Sequence, residues 1–171
     1  MKKHITYLKK LRACSDAVEW AKQFNSLQET WDNCHRGDWM LWLLGEQSGK
    51  PETKSRKKLV LTACKCARLS LKHVPKYEKR PLMAIQTAEK YAKGVKGITL
   101  QDVRADACAA YAAACAAAAA AAYAAAYAAY AVYAADAAYA ADAAYAAAKE
   151  KTLKKCASIV RKDYPKIRMV K

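Results

Sequence analysis

Thr99-Leu100-Gln101-Asp102-Val103-Arg104-Ala105-Asp106-Ala107 is the stretch on which the fold turns. A threonine followed three residues later by an acid is a capping box, in which hydroxyl and carboxylate satisfy the first backbone N–H groups of a helix. Nothing after it resembles a stop signal until Pro165. From Ala107 to Ala148, 30 of 42 residues are alanine, the strongest helix former, so local propensity favours helix throughout. The exceptions are mainly Tyr111, Tyr123, Tyr127, Tyr130, Tyr133, Tyr139, Tyr145, Asp136 and Asp142, with Cys108, Cys115 and Val132.

Between Tyr127 and Tyr145 the larger residues fall at every third position. Each step of three turns back by about 60° on an α-helix, so this row winds around the helix and leaves it no solvent face. A continuous helix over 100–162 would be roughly 90 Å long, against a radius of gyration near 15 Å for a compact chain of this size. The segment is therefore expected to break, with Asp136 or Asp142 as an internal N-cap. The alternative is a protruding rod that forms a homodimer.

Helix punctuation continues towards the N-terminus, and β signals are nearly absent. Pro81 suits the first turn of a helix over 81–93, closed by Gly94 and Gly97. Ser55 precedes a basic helix over 55–74, ending before Pro75. Three short helices precede a loop-like stretch at Glu46–Glu52. Ser15 is read as capping one that runs through Phe24, Ser26 with Glu29 opens Leu27–Cys34, and Asp38 caps Trp39–Glu46. The expected architecture is all-α: a multi-helix bundle with short N-terminal helices packed on a long, broken, Ala/Tyr-rich segment. The length of 171 residues suits one domain over 1–171.

Charge narrows the function classes. Against 15 acids stand 31 Lys and Arg, a net charge of +16. With 27% charged residues and a mean hydropathy of −0.25, the chain is neither a disordered tail nor a multi-span membrane protein. The balance is uneven along the chain. Residues 15–49 hold six acids against Lys22 and Arg36, together with every tryptophan, whereas 50–98 hold fourteen bases and three acids. The charged start, Met1 to Lys10, offers no apolar run of a signal peptide. Seven cysteines, an odd number with alanine or aliphatic neighbours, fit reduced core thiols, and a cytoplasmic protein is expected.

Within the basic helix, Lys54, Lys58, Lys65, Arg68 and Lys72 fall within about 80° of one another, opposite Val60, Ala63, Ala67, Leu71 and Val74. Such a ridge is either a solvated face or a platform for phosphates or an acidic partner. Trp39, Trp42 and Leu43 share a helical face and, with Trp20 and Trp31, read as core, or as exposed anchors for a partner. Cys64 and Cys66 lack a second pair at zinc-site spacing, and Cys34-His35 cannot easily turn both ligands to one ion. His4, His35 and His73 sit in no catalytic motif, so neither enzyme, metal nor cofactor is expected.

The order of these features is more specific than any one of them. The runs ACSDAVEWAKQFNSLQETWDNCHRGDWMLWLLG, RKKLVLTACKCARLSLKHVP, RPLMAIQTAEKYAKG and AAYAADAAYAADAAYAAAKEK, with TLKKCASIVRKDYP, resemble the immunity proteins of bacterial polymorphic toxin systems over about residues 12–165. The resemblance implies a small cytosolic helical protein that binds and neutralises a cognate toxin, and it brings no catalytic residues. Proteins that block nucleases usually offer acidic surface to a cationic cleft. If the target is a nuclease, the expected contact surface is the acidic part over 15–49, with Asp32, Asp38, Trp39 and Trp42 as candidates. The alternative is a basic helical protein that binds nucleic acid or a phosphate-bearing ligand through Lys54, Lys58, Lys65, Arg68 and Lys72.

Overall fold

The structure is a computed structural model and describes residues 2–69, 71–74, 76–117 and 150–170. The expected break near Asp136 or Asp142, the winding tyrosine row and the rod that would dimerise all lie outside the described residues. Those residues form an all-α, multi-helix bundle with no strand among them. Its helices are α1 (Lys3–Lys10), α2 (Ser15–Ala21), α3 (Leu27–Asn33), α4 (Gly37–Gln47), α5 (Lys54–Arg68), α6 (Arg80–Lys93), α7 (Leu100–Ala117) and α8 (Glu150–Asp163). No helix among them is long and apolar enough to cross a membrane.

Helix α5 is the central element, packed against α4, α6 and α8, while α6 also packs on α7. Leu59, Val60, Ala63, Cys64, Cys66 and Ala67 of α5 have no exposed surface, and they meet Ala84, Ile85 and Ala88 of α6 and Cys156, Ala157 and Val160 of α8 in one core. Small side chains let these helices approach closely, and Gly37 marks the tightest point. A Cβ built there would overlap the Cys156 Cβ and stand 2.8 Å from the Ala157 backbone nitrogen, so α4 and α8 can cross only over a glycine.

Several start signals act as read. Ser26 accepts a hydrogen bond from the Glu29 N–H at 3.0 Å, and Thr99 and Asp102 exchange reciprocal bonds, the Thr99 N–H donating to Asp102 and the Asp102 N–H to the Thr99 hydroxyl. Pro81 lies in the first turn of α6, and Gly94 ends that helix at φ 74°.

Three caps are corrected. Ser15 is the first residue of α2, whose cap is Cys14, and α2 stops at Ala21 instead of Phe24. Thr53, not Ser55, caps α5 by accepting from the Arg56 N–H at 3.1 Å. Asp38 lies inside α4, which starts after Arg36, because its carboxylate binds that guanidinium instead of the helix's own N–H groups. Helix α5 also ends at Arg68, with a 3₁₀ turn at Leu71–His73 leading towards Pro75, so the basic helix is shorter than the reading over 55–74.

Helix α1 carries no start signal in the sequence, yet His4, Ile5 and Leu8 bury its inner face. The segment after α8 then clasps the N-terminal helices. The Trp31 indole N–H donates to the Tyr164 carbonyl at 2.9 Å, and Gln28 donates to the Pro165 carbonyl and accepts from the Ile167 N–H. Gln47 donates both to the Arg168 carbonyl and to the Tyr7 hydroxyl, at 2.9 Å each. Chain ends more than a hundred residues apart thus close one layer.

Candidate functional site

The short helices α2 and α3 meet α4 around a cleft that all four tryptophans line. Leu8 and Ala13 close it from the end of α1, with Ala17, Leu27, Met40 and Leu43 between the rings, and Thr30 is its polar exception. Trp31 is buried and its indole N–H is committed to Tyr164, so it belongs to the core, as the sequence suggested. Trp20, Trp39 and Trp42 are only half-buried. Trp20 is the hinge of an aromatic cluster, its ring 4.8 Å from Phe24, 5.7 Å from Trp39 and 6.0 Å from His35 between centroids. The tilted and edge-on angles, 59°, 55° and 88°, are those the ring quadrupoles favour.

Beside this cleft a second depression is lined by Arg12, Cys14, Ala17, Arg36, Asp38, Trp39 and Trp42. The Arg36 guanidinium lies 4.5 Å from the Trp39 ring centre and grips both oxygens of Asp38. Asp38 is 4% exposed, so the carboxylate proposed as an acidic contact is withdrawn from the surface and neutralised. The reason is local: Arg-Gly-Asp at a helix start places the two charges two residues apart, facing each other across the first turn of α4. Asp32 is exposed and accepts from Gln28 at 2.7 Å. Of the four residues expected to form an acidic, aromatic surface, only Trp39 and Trp42 therefore share the cleft.

The α5 ridge fares differently from its reading as a platform. Lys65 reaches the Asp163 carboxylate at 2.7 and 2.8 Å, and Arg68 makes a two-point bridge to Glu89 at 2.8 Å for each bond. Lys58 sits 4.2 Å above the Tyr164 ring, Lys54 is exposed in the first turn, and Lys72 falls beyond the helix end. Three of the five cations thus hold α5 to α6, α8 and the segment that follows it. Carboxylates more than twenty residues away in sequence decide this, which is why helical periodicity alone could not show it. Hydrogen bonding to Arg68 holds the Glu89 carboxyl below its usual range. For Asp163, burial pushes upward, but the Lys65 ammonium and the Thr62 hydroxyl outweigh it and the net shift is downward.

Arg56 was not singled out and is 3% exposed. Its guanidinium donates to the Gly45 and Gly49 carbonyls at 2.8–3.1 Å, satisfying the open end of α4. Arg12, at the edge of the same depression, was also missed, and its side chain has no partner among the described residues. Glycine is the usual sequence signal for its left-handed backbone, and none stands there.

The buried thiols of Cys34, Cys64 and Cys66 offer little reactivity. Burial pushes Cys34 up to about 11 and Cys64 higher still, and Cys66 is raised by its hydrogen bond with Cys156 and by burial. No group of three or more His, Cys, Asp or Glu side chains that could hold a metal occurs among the described residues. Comparison with protein-family models, curated proteins and solved structures finds no match for this chain, so no family membership follows and the immunity-protein likeness rests on the sequence runs alone.

Proposed function

We propose that this chain is a non-catalytic, cytoplasmic binding protein of the immunity kind, which neutralises a protein toxin by docking it on the tryptophan cleft. The observation that carries the reading is the cleft itself: three half-buried indoles around an apolar hollow, carried by helices α2 and α4. Tryptophans in such settings dominate protein interfaces, because they bury large area at small entropic cost. The immunity resemblance adds the class of partner.

Co-expression tests it. A toxic protein encoded beside this gene should lose its toxicity when the chain is present, and the two should co-elute. Trp42→Ala should weaken the complex by about 2 kcal/mol, some thirtyfold, if Trp42 is an anchor. A toxin neutralised equally well by the Trp39→Ala/Trp42→Ala double variant would remove the cleft from the mechanism.

A second reading, binding of nucleic acid or a phosphate-bearing ligand, draws on one observation. Lys151, Lys154 and Lys155 of α8 are exposed around Leu69 and Ile159, a more open cationic surface than the ridge first considered. Affinity for an oligonucleotide that falls steeply with salt and with Lys151→Glu/Lys155→Glu would favour it over the cleft.

A further inference from the structure

The tryptophan cleft has a charged rim whose sign differs from the one the sequence suggested. We infer that the cleft receives an apolar side chain carrying a carboxylate beside it, and that Arg12 holds that carboxylate. This rests on the protein-docking reading and names the chemistry of the docked segment.

The argument starts from the backbone. Helix α1 ends in a closure in which the Arg12 N–H donates to the Lys9 carbonyl at 2.9 Å and the Ala13 N–H to the Leu8 carbonyl at 3.0 Å. This closure needs a left-handed residue at position 12, and glycine normally supplies it without strain. Here arginine does so at φ 62°, and among the described residues it is the one non-glycine residue with positive φ. A strained conformation kept at the edge of a cleft points to a use for the side chain it carries.

The electrostatics give that side chain a free charge. The Arg12 side chain is exposed and makes no hydrogen bond or ion pair among the described residues, whereas that of its neighbour Arg36 is matched by Asp38. Lys10, exposed in the preceding turn, adds the same sign. The depression beside Trp39 and Trp42 is therefore net positive, with its one carboxylate already taken. An incoming group that is apolar at the indoles and anionic at the rim matches both features. A purely apolar occupant would leave Arg12 unanswered, and a basic one would be repelled.

The probes are 3-phenylpropionate and its neutral amide, titrated at neutral pH and low salt into isotopically labelled protein while the Trp39 and Trp42 indole N–H resonances are followed. The acid should bind about two- to fivefold more tightly than the amide, the range of an exposed ion pair. Arg12→Lys should keep that preference. Arg12→Gly, which the backbone accepts, should abolish it and leave amide binding unchanged. Equal binding of the two probes to the wild type would overturn the inference and mark the cleft as apolar only. A preference that survives Arg12→Gly would overturn it in favour of Arg36. Indole shifts that follow protein concentration without probe would show a second copy as the occupant, again overturning it. In any of these cases, rescue by co-expression that still depends on Trp39 and Trp42 would leave the docking reading standing. Absence of any indole response to either probe would sink the inference together with the cleft.

Discussion

The ridge on α5 and the rim of the tryptophan cleft carry the same chemical groups, and the fold puts them to different uses. On α5, Lys65 and Arg68 meet Asp163 and Glu89 from other helices, and Arg56 turns inward to bind carbonyls at the end of α4. At the cleft, Arg36 meets Asp38, while Arg12 meets no partner among the described residues. A cation count therefore says little about where an anion will bind. Which cations stay unpaired beside a given hollow says more, and at the tryptophan cleft that is Arg12, on a short turn.

That contrast can be broken at several strengths. The largest effect is expected where the internally tied half is closest packed: Gly37→Ala should cost about 3 kcal/mol, because its Cβ would press on the Cys156 side chain and the Ala157 backbone. Thermal unfolding should show a fall of roughly 10 °C. Arg56→Ala comes next, at about 3 kcal/mol or slightly less, since it strips buried carbonyls of their donor. Arg56→Lys should recover little, as an ammonium lacks the fork that spans two carbonyls. If Arg56→Ala melts like the wild type, the guanidinium is not the tie described here.

Arg12 should respond in the opposite direction. Arg12→Gly relieves the left-handed backbone and should stabilise the protein by about 1 kcal/mol, roughly 3 °C in the melting temperature. A destabilised variant would mean that the arginine side chain contributes to the fold, and the contrast between ridge and rim would fail. The smallest effect is electrostatic. The Glu89 carboxyl is held below its usual range by Arg68, so its contribution is fully present above the unfolded carboxyl value near 4 and is lost as pH falls through the lower folded value. Glu89→Gln should flatten that part of the acid-unfolding profile, by less than about 1 kcal/mol for an ion pair this close to the surface. An unchanged acid limb would show that the Arg68 bridge does not hold α5 to α6.

Much of the helical layout was legible because its signals are local. Ser26 with Glu29, Thr99 with Asp102, Pro81 and Gly94 each act within one turn, and the structure places all of them as caps or helix-starting residues. Asp38 and Ser55 carry the same capping chemistry but were outbid, Asp38 by Arg36 and Ser55 by Thr53 two residues earlier. Of the candidate site, Trp39 and Trp42 were recognisable from composition. Arg12 was not, since its backbone conformation comes from how α1 closes and not from its residue type.

Taken alone, the amino-acid order determines that this chain is helical, where most helices begin and end, and that it carries a large excess of positive charge. Only the tertiary structure decides which of those charges remain available. Propensity and capping act over three or four residues and can be read along the chain, whereas an ion pair depends on a few ångströms between groups that packing brings together. Glu89 and Asp163 lie 21 and 98 residues from the cations they bind, and among the described residues no such acid reaches Arg12.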